Sequence, residues 1–107
     1  MDDQPTISTH VLDTEHGLPA AGVRVLLVRA LEDGSFEEPV GALTDDDGRV
    51  RRLTDAPLVA GDYLITFHIG GPFFREVSIP FRVDDTSRSY HVPLLLAPYS
   101  LTTYRGS

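Results

Sequence analysis

The sequence contains no cysteine and no lysine: its nine basic residues are all arginine. Without cysteine there are no disulfides and no thiolate metal ligands. Positive charge is scarce as well, with nine arginines against 16 acidic residues and a formal net charge of −7. Nucleic acid and anionic membrane both demand net positive patches, so neither is expected as a partner. The short pair Arg51-Arg52 reads as a solvated strand end rather than a binding site. Long apolar runs are missing too. The longest, Val92–Ala97, is interrupted by Pro93 and is far too short to span a membrane. Met1–Gln4 is polar and acidic, without the basic and apolar regions of a signal peptide, which makes a cytoplasmic location the expectation. Helix is nearly absent: a brief turn is conceivable near Asp55–Val59, and Pro57 works against it. HExxH, P-loop, GxGxxG and GxSxG patterns do not occur, and no tightly spaced histidine–carboxylate set argues for a metal.

What remains is a chain of one domain's length with an ordinary hydrophobic fraction of 41%. Residues 1–6 read as a loosely held or disordered lead-in, and 7–107 as a single domain. Folding a chain of this size hides roughly 65% of its unfolded surface, so additional burial through oligomerisation would help.

The pattern is one of short β-runs separated by turn residues. Ile7–Asp13 alternates and ends at the His16-Gly17-Leu18-Pro19 turn. Gly22–Leu31 carries Val23, Val25 and Leu27 on one face, and Asp33-Gly34 then signals a hairpin. Val40–Thr44 and Arg49–Leu53 flank the Asp45-Asp46-Asp47-Gly48 turn. Asp62–Ile69 places Tyr63, Ile65, Phe67 and Ile69 opposite Leu64, Thr66 and His68. Glu76–Val83, Ser89–Leu96 and Tyr99–Tyr104 complete about eight strands, which predicts an all-β, two-sheet sandwich.

Four histidines are the obvious candidates for chemistry: His10, His16, His68 and His91. His10 shares a strand face with Ser8 and Leu12, and His91 shares one with Pro93 and Leu95. Two strand imidazoles in so small a domain could meet, directly or across a subunit interface, and their ordinary pKa suits proton transfer near neutrality. A strand histidine taken singly is more often structural. His16 reads as a solvated loop residue and His68 as structural. Arg49 either pairs with an aspartate of the preceding turn or offers a planar donor fork to substrate oxygens or an oxyanion.

The final stretch, Tyr90-His91-Val92-Pro93-Leu94-Leu95-Leu96-Ala97-Pro98-Tyr99-Ser100-Leu101-Thr102-Thr103-Tyr104-Arg105-Gly106-Ser107, resembles the C-terminal signature of the 5-hydroxyisourate hydrolases, which close on Tyr-Arg-Gly-Ser. Ser8-Thr9-His10-Val11-Leu12-Asp13-Thr14 with Gly17-Leu18-Pro19-Ala20 is similar to that family's opening motif, and Thr44-Asp45-Asp46-Asp47-Gly48-Arg49 to its central one. The region from Gly17 to Arg49, with Gly61-Asp62-Tyr63, is shared by many sandwich domains and says little about function; the terminal block is specific. Thyroid-hormone-carrying transthyretins share the fold and lack that ending.

The resemblance implies a prealbumin-like sandwich and hydrolysis of 5-hydroxyisourate to 2-oxo-4-hydroxy-4-carboxy-5-ureidoimidazoline in urate breakdown. It implies no cofactor and no metal. His10, Arg49 and His91 fall on the family's catalytic histidine, arginine and histidine. Tyr104, Arg105, Gly106 and Ser107 fall on the tetrapeptide that lines the same site, with Ser107 able to offer both its hydroxyl and its α-carboxylate. It further implies a homotetramer, a dimer of dimers with sites where the dimers meet. The chain departs from the family at Phe67–Arg75, which is shortened and has Arg75 where proline is usual, so the family's short helix is expected to be reduced or absent. In the expected mechanism the histidines hold and deprotonate water, one returns the proton to the departing nitrogen, and Arg49 stabilises the tetrahedral oxyanion. A non-catalytic transthyretin-type carrier is the alternative; it accounts for the sandwich but not for the tail. A structural or adhesive sandwich repeat accounts for the Gly17–Arg49 pattern alone.

Overall fold

The computed structural model describes residues 4–55 and 57–107. In chain order the strands are β1 (Ile7–Asp13), β2 (Leu18–Pro19), β3 (Arg24–Arg29), β4 (Val40–Leu43), β5 (Arg49–Val50), β6 (Gly61–His68), β7 (Glu76–Val83), β8 (Tyr90–His91), β9 (Leu94–Ala97) and β10 (Ser100–Thr103). No helix occurs among the described residues, and none therefore is long and apolar enough to cross a membrane. The turn considered near Asp55–Val59 includes Ala56, which lies outside the described residues; its neighbours are not helical.

Two sheets face each other, as the alternation predicts. One is antiparallel, in the order β4-β3-β6-β7. The other runs β10-β9-β1-β2, with β5 and β8 also paired to β1. Val25 and Leu27 of β3 and Tyr63, Ile65 and Phe67 of β6 point inward and meet Ile7, Val11, Tyr90 and Leu94 from the opposite sheet. Each such fully buried aliphatic or aromatic side chain contributes about 1.5–3 kcal/mol. On β7 the inward residues Val77, Ile79 and Phe81 are half-buried, because β7 is an edge strand.

The strand β1 organises the second sheet. Ile7, Thr9 and Val11 are buried on its inner face, which leaves Ser8, His10 and Leu12 on the outer one. On one side it pairs antiparallel with β5, setting His10 opposite Arg49. On the other it runs parallel to β8 and β9, setting Ser8 beside His91. Thr9 is buried and its hydroxyl donates to the Val92 carbonyl at 2.6 Å, filling the gap where that parallel ladder is interrupted.

The expected single strand Ser89–Leu96 is thus two, separated at Val92-Pro93. Pro93 has no N–H to donate to the ladder. The register survives the break: Ile7 pairs with Tyr90, and four residues on Val11 pairs with Leu94. Leu18–Pro19, expected as turn, adds a short pairing to β1. The hairpin signalled by Asp33-Gly34 forms, with Gly34 at φ 88° and Ala30 bridging to Phe36. Residues 69–75 are irregular, so the family's helix is absent, and the amides of Ile69 and Gly70 donate instead to the Arg75 carbonyl. The loose lead-in expected over residues 1–6 falls partly outside the described residues. Thr6, within them, is buried and shares a hydroxyl–hydroxyl bond of 2.8 Å with Thr54.

Candidate active site

The outer face of β1 and its two neighbours gathers most of the polar groups singled out from sequence. A cleft of about 310 Å³ is lined by Ser8, Thr9, Arg49, Val50, Arg51, Ser89, His91 and Ser107. His91 and Arg49 reach it from opposite sides of β1, so residues 42 positions apart in sequence converge through one strand's two ladders.

His91 is held on three sides. Its Nδ1 lies 2.9 Å from the Ser8 hydroxyl. Its backbone carbonyl accepts the Gly106 N–H at 2.8 Å, which draws the C-terminal tail back across the sheet. Gly106 is so close to the ring that a β-carbon there would stand 2.5 Å from Cδ2. Partial burial pushes the His91 pKa below its ordinary value, and the positive charges of Arg49 and then His10 push the same way; a hydrogen bond to the Ser8 backbone, the smallest effect, opposes them. The ring is therefore neutral near pH 7 and able to accept a proton.

His10 lies two residues along β1 on the same face. Its Nε2 is 2.8 Å from the Asp47 carbonyl oxygen, which can only accept, so Nε2 carries the hydrogen and Nδ1 is the ring nitrogen left over. The turn that supplies this carbonyl is shaped by Asp45. Its carboxylate accepts the backbone N–H groups of Asp47 and Arg49, each at 2.9 Å, and these bonds, Arg49's first, hold its pKa below the usual carboxylate value. Among the described residues no carboxylate forms an ion pair with the Arg49 guanidinium, so its donor fork is available to the cleft. Asp45 thus engages the backbone of Arg49, and the aspartate pairing weighed from sequence is not made by its side chain.

Tyr104 and Arg105 turn to the other side of His91. They line a second, more apolar cleft of about 210 Å³ with Ile79, Phe81, Arg82 and Tyr90. The Arg105 guanidinium stacks on the Tyr90 ring, 4.5 Å from its centroid. The two residues anchor the tail, while Gly106 and Ser107 reach the His91 cleft. Arg51 was read as a solvated strand end, yet it lines the cleft beside Arg49. The available signal was the two-residue strand period, which puts Arg49 and Arg51 on one face.

The other histidines stay apart. His68 is exposed at the end of β6. His16 Nδ1 pairs with the Asp13 carboxylate at 2.8 Å on an exposed turn, which raises the His16 pKa and lowers that of Asp13. Asp13, Glu15 and His16 have their ligand atoms within 4.8 Å of one another, a grouping the sequence reading passed over. The Asp13 carboxylate is already taken up by His16 and by the amides of residues 15 and 16. A further cleft of about 310 Å³, between the β3–β4 hairpin and Thr54, Asp55, Pro57 and Val59, has no histidine among its described lining residues, and its Arg29 is paired with Glu37.

A sequence model of the HIUase/Transthyretin family matches residues 7–106. The chain belongs to this family. It is 45% identical to the 5-hydroxyisourate hydrolase of Deinococcus radiodurans, with the whole of both chains covered. It is 43% identical to the uric acid degradation bifunctional protein of Arabidopsis thaliana, over 97% of this chain and 38% of that one. Among solved structures, 5-hydroxyisourate hydrolase of Klebsiella pneumoniae superposes with a TM-score of 0.81 at 36% identity, covering 95% of this chain and 99% of that one. Sea bream transthyretin, solved with thyroxine, gives a TM-score of 0.85 at 26% identity, covering 94% and 93%. The prealbumin-like sandwich expected from sequence is borne out, and so is the family.

Proposed function

We propose that the protein hydrolyses 5-hydroxyisourate, with His10, Arg49, His91 and Ser107 as its working residues. The observation that carries this reading is the convergence of a neutral His91, an ion-pair-free Arg49 and the Ser107 tail on one cleft, with His10 beside it on the same face.

Water adds to a ring carbonyl of the substrate, losing a proton to an imidazole as the C–O bond forms. The resulting oxyanion is met by Arg49, whose planar fork can donate two parallel hydrogen bonds. One well-placed donor to such an oxyanion is worth about 3 kcal/mol. Collapse breaks the C–N bond, and the imidazolium returns its proton to the departing nitrogen. Atoms balance with water alone, so the reaction needs neither a serine or cysteine nucleophile nor a cofactor. His10, its Nε2–H committed to Asp47, has Nδ1 left to hold the attacking water. Ser107 orients water or substrate at the cleft's rim. Tyr104 and Arg105 act through the tail, Arg105 by its stack on Tyr90.

We further infer that four copies assemble as a dimer of dimers. The cleft opens on a bare sheet face, and Leu18, Phe73, Tyr99 and Tyr104 leave apolar surface exposed on the single subunit. Sedimentation equilibrium would read the mass directly.

The deciding experiment follows the ultraviolet decay of freshly made 5-hydroxyisourate with native protein, with His91→Ala and with a form extended beyond Ser107. Rapid decay that both changes abolish supports the hydrolase. Native tetrameric protein that leaves the spontaneous rate unchanged overturns it and favours a carrier, which the close superposition on sea bream transthyretin would then explain.

A further inference from the structure

His91 and Ser8 are 83 residues apart, yet the parallel register of β8 on β1 sets them side by side, and the Ser8 hydroxyl meets Nδ1 at 2.9 Å. The backbone secures this pairing independently, because the Val92 N–H donates to the Ser8 carbonyl at 2.9 Å. On the opposite edge of the ring, Cδ2 abuts Gly106. Among the described residues Nε2 has no hydrogen-bond partner. We propose that Ser8 is a positioning residue, holding the His91 imidazole through Nδ1 so that Nε2 alone takes the proton from water and gives it to the departing nitrogen. This rests on the hydrolase reading above.

The chemistry of the partner matters as much as its place. For Nε2 to take a proton Nδ1 must carry the hydrogen, and the Ser8 hydroxyl can accept from Nδ1–H in both the neutral ring and the imidazolium. Being uncharged, it does not stabilise the imidazolium as a carboxylate would. The remaining groups around the ring are mostly cationic. Arg49 and Arg51 share its cleft with Ser107, and His10 stands along β1. Arg82 and Arg105, with the phenols of Tyr90 and Tyr104, flank its other side. Burial and the Arg49 and His10 charges hold His91 below its ordinary pKa, and a neutral partner at Nδ1 lets that depression stand. A proton taken from water is then readily released, as a shuttle between water and nitrogen requires.

The test compares Ser8→Ala, Ser8→Thr and Ser8→Asp in the full-length protein, by pH–rate profile and by NMR titration of His91. Ser8→Ala should lower kcat by about 10- to 100-fold, part of the roughly 10²–10⁴-fold that a positioned acid–base group contributes, with KM nearly unchanged, and Ser8→Thr should restore most of it. Ser8→Asp should raise the His91 titration midpoint by about one to three pH units and carry the acid limb of kcat with it. Native kcat in Ser8→Ala, or a His91 midpoint unmoved in Ser8→Asp, would overturn the proposal. The NMR arm needs no substrate, so it judges the Ser8–His91 pair even if the native protein fails to turn over 5-hydroxyisourate.

Discussion

Gly106 packs its bare α-carbon against the imidazole of His91, so closely that a β-carbon would come within 2.5 Å of Cδ2 and 3.1 Å of Cγ. The contact is made while the Gly106 N–H holds the His91 carbonyl. Tail and ring therefore position each other, and the glycine is required by space rather than by backbone angle. In Gly106→Ala either the ring rotates off Ser8 or the tail lifts away. We expect kcat to fall at least about 10-fold, because proton transfer depends on the position of the ring. The melting temperature should barely move, because only a few residues near the terminus are affected. Steady-state kinetics beside a thermal melt checks both halves, and an Ala variant with native kcat would show that the tail need not touch the ring.

The lowered pKa of His91 makes a signed prediction for pH. The unfolded chain binds this proton with the ordinary midpoint near 6.5, and the folded protein binds it only at lower pH. Between the two, the unfolded state carries more protons, so stability rises with pH. The contribution is full above about pH 6.5 and is lost as pH falls through the folded pKa. Activity should follow the neutral ring: the acid limb of kcat/KM lies below pH 6.5, and Arg49→Gln, which removes the larger of the two charge effects, should move it upward. A pH–rate profile with its acid limb above 6.5 would contradict the environment described for His91.

Much of the sandwich is written locally. The alternation of Tyr63, Ile65 and Phe67 gives β6 and its inward face directly, and the same holds for Val25 and Leu27 on β3. Leu18–Pro19 could not be read that way, because two exposed residues carry no periodic signal and their pairing depends on β1. The site divides similarly. His10, Arg49, His91 and Ser107 stood out through the terminal, opening and central motifs. Ser8 did not, since its partner lies across a parallel pairing with no local trace. Arg51 was hidden by composition: beside Arg52 it looks like ordinary solvated charge, and the two-residue period that sets it on the face of Arg49 runs one residue past β5. Tyr104 and Arg105 face away because Tyr90, itself buried, offers its ring to the guanidinium.

Gly48 ends the aspartate turn at φ 76°, and a β-carbon there would lie 2.4 Å from the Val11 carbonyl oxygen. Its own carbonyl accepts the Val11 N–H at 2.7 Å, so the turn is pressed onto β1 where it presents both the Asp47 carbonyl and Arg49. For Gly48→Ala the left-handed backbone alone costs about 1–3 kcal/mol, and the clash adds displacement of the turn. Urea unfolding should show a loss in this range or above, together with reduced activity. A loss under about 0.5 kcal/mol, typical of neutral surface changes, would mean that the turn is not held as described.

Arg49 and Arg51 stand two residues apart on the same face and line one cleft, but their surroundings differ. Arg49 is half-buried opposite His10, whereas Arg51 is exposed at the rim. If the half-buried fork meets the developing oxyanion as proposed, Arg49→Lys should cost about 100- to 1,000-fold in kcat, because an ammonium cannot reproduce two parallel donors. An exposed arginine at the rim, if it attracts substrate oxygens, does so equally in ground and transition states. Arg51→Gln should therefore raise KM several-fold and leave kcat within about twofold, the pattern of lost uniform binding. Its effect should shrink at high ionic strength, while that of Arg49 persists. Kinetics of both variants at low and high salt separate these roles. If Arg51→Gln lowers kcat as far as Arg49→Lys does, the two guanidiniums act together on the oxyanion and the division drawn from their burial is wrong.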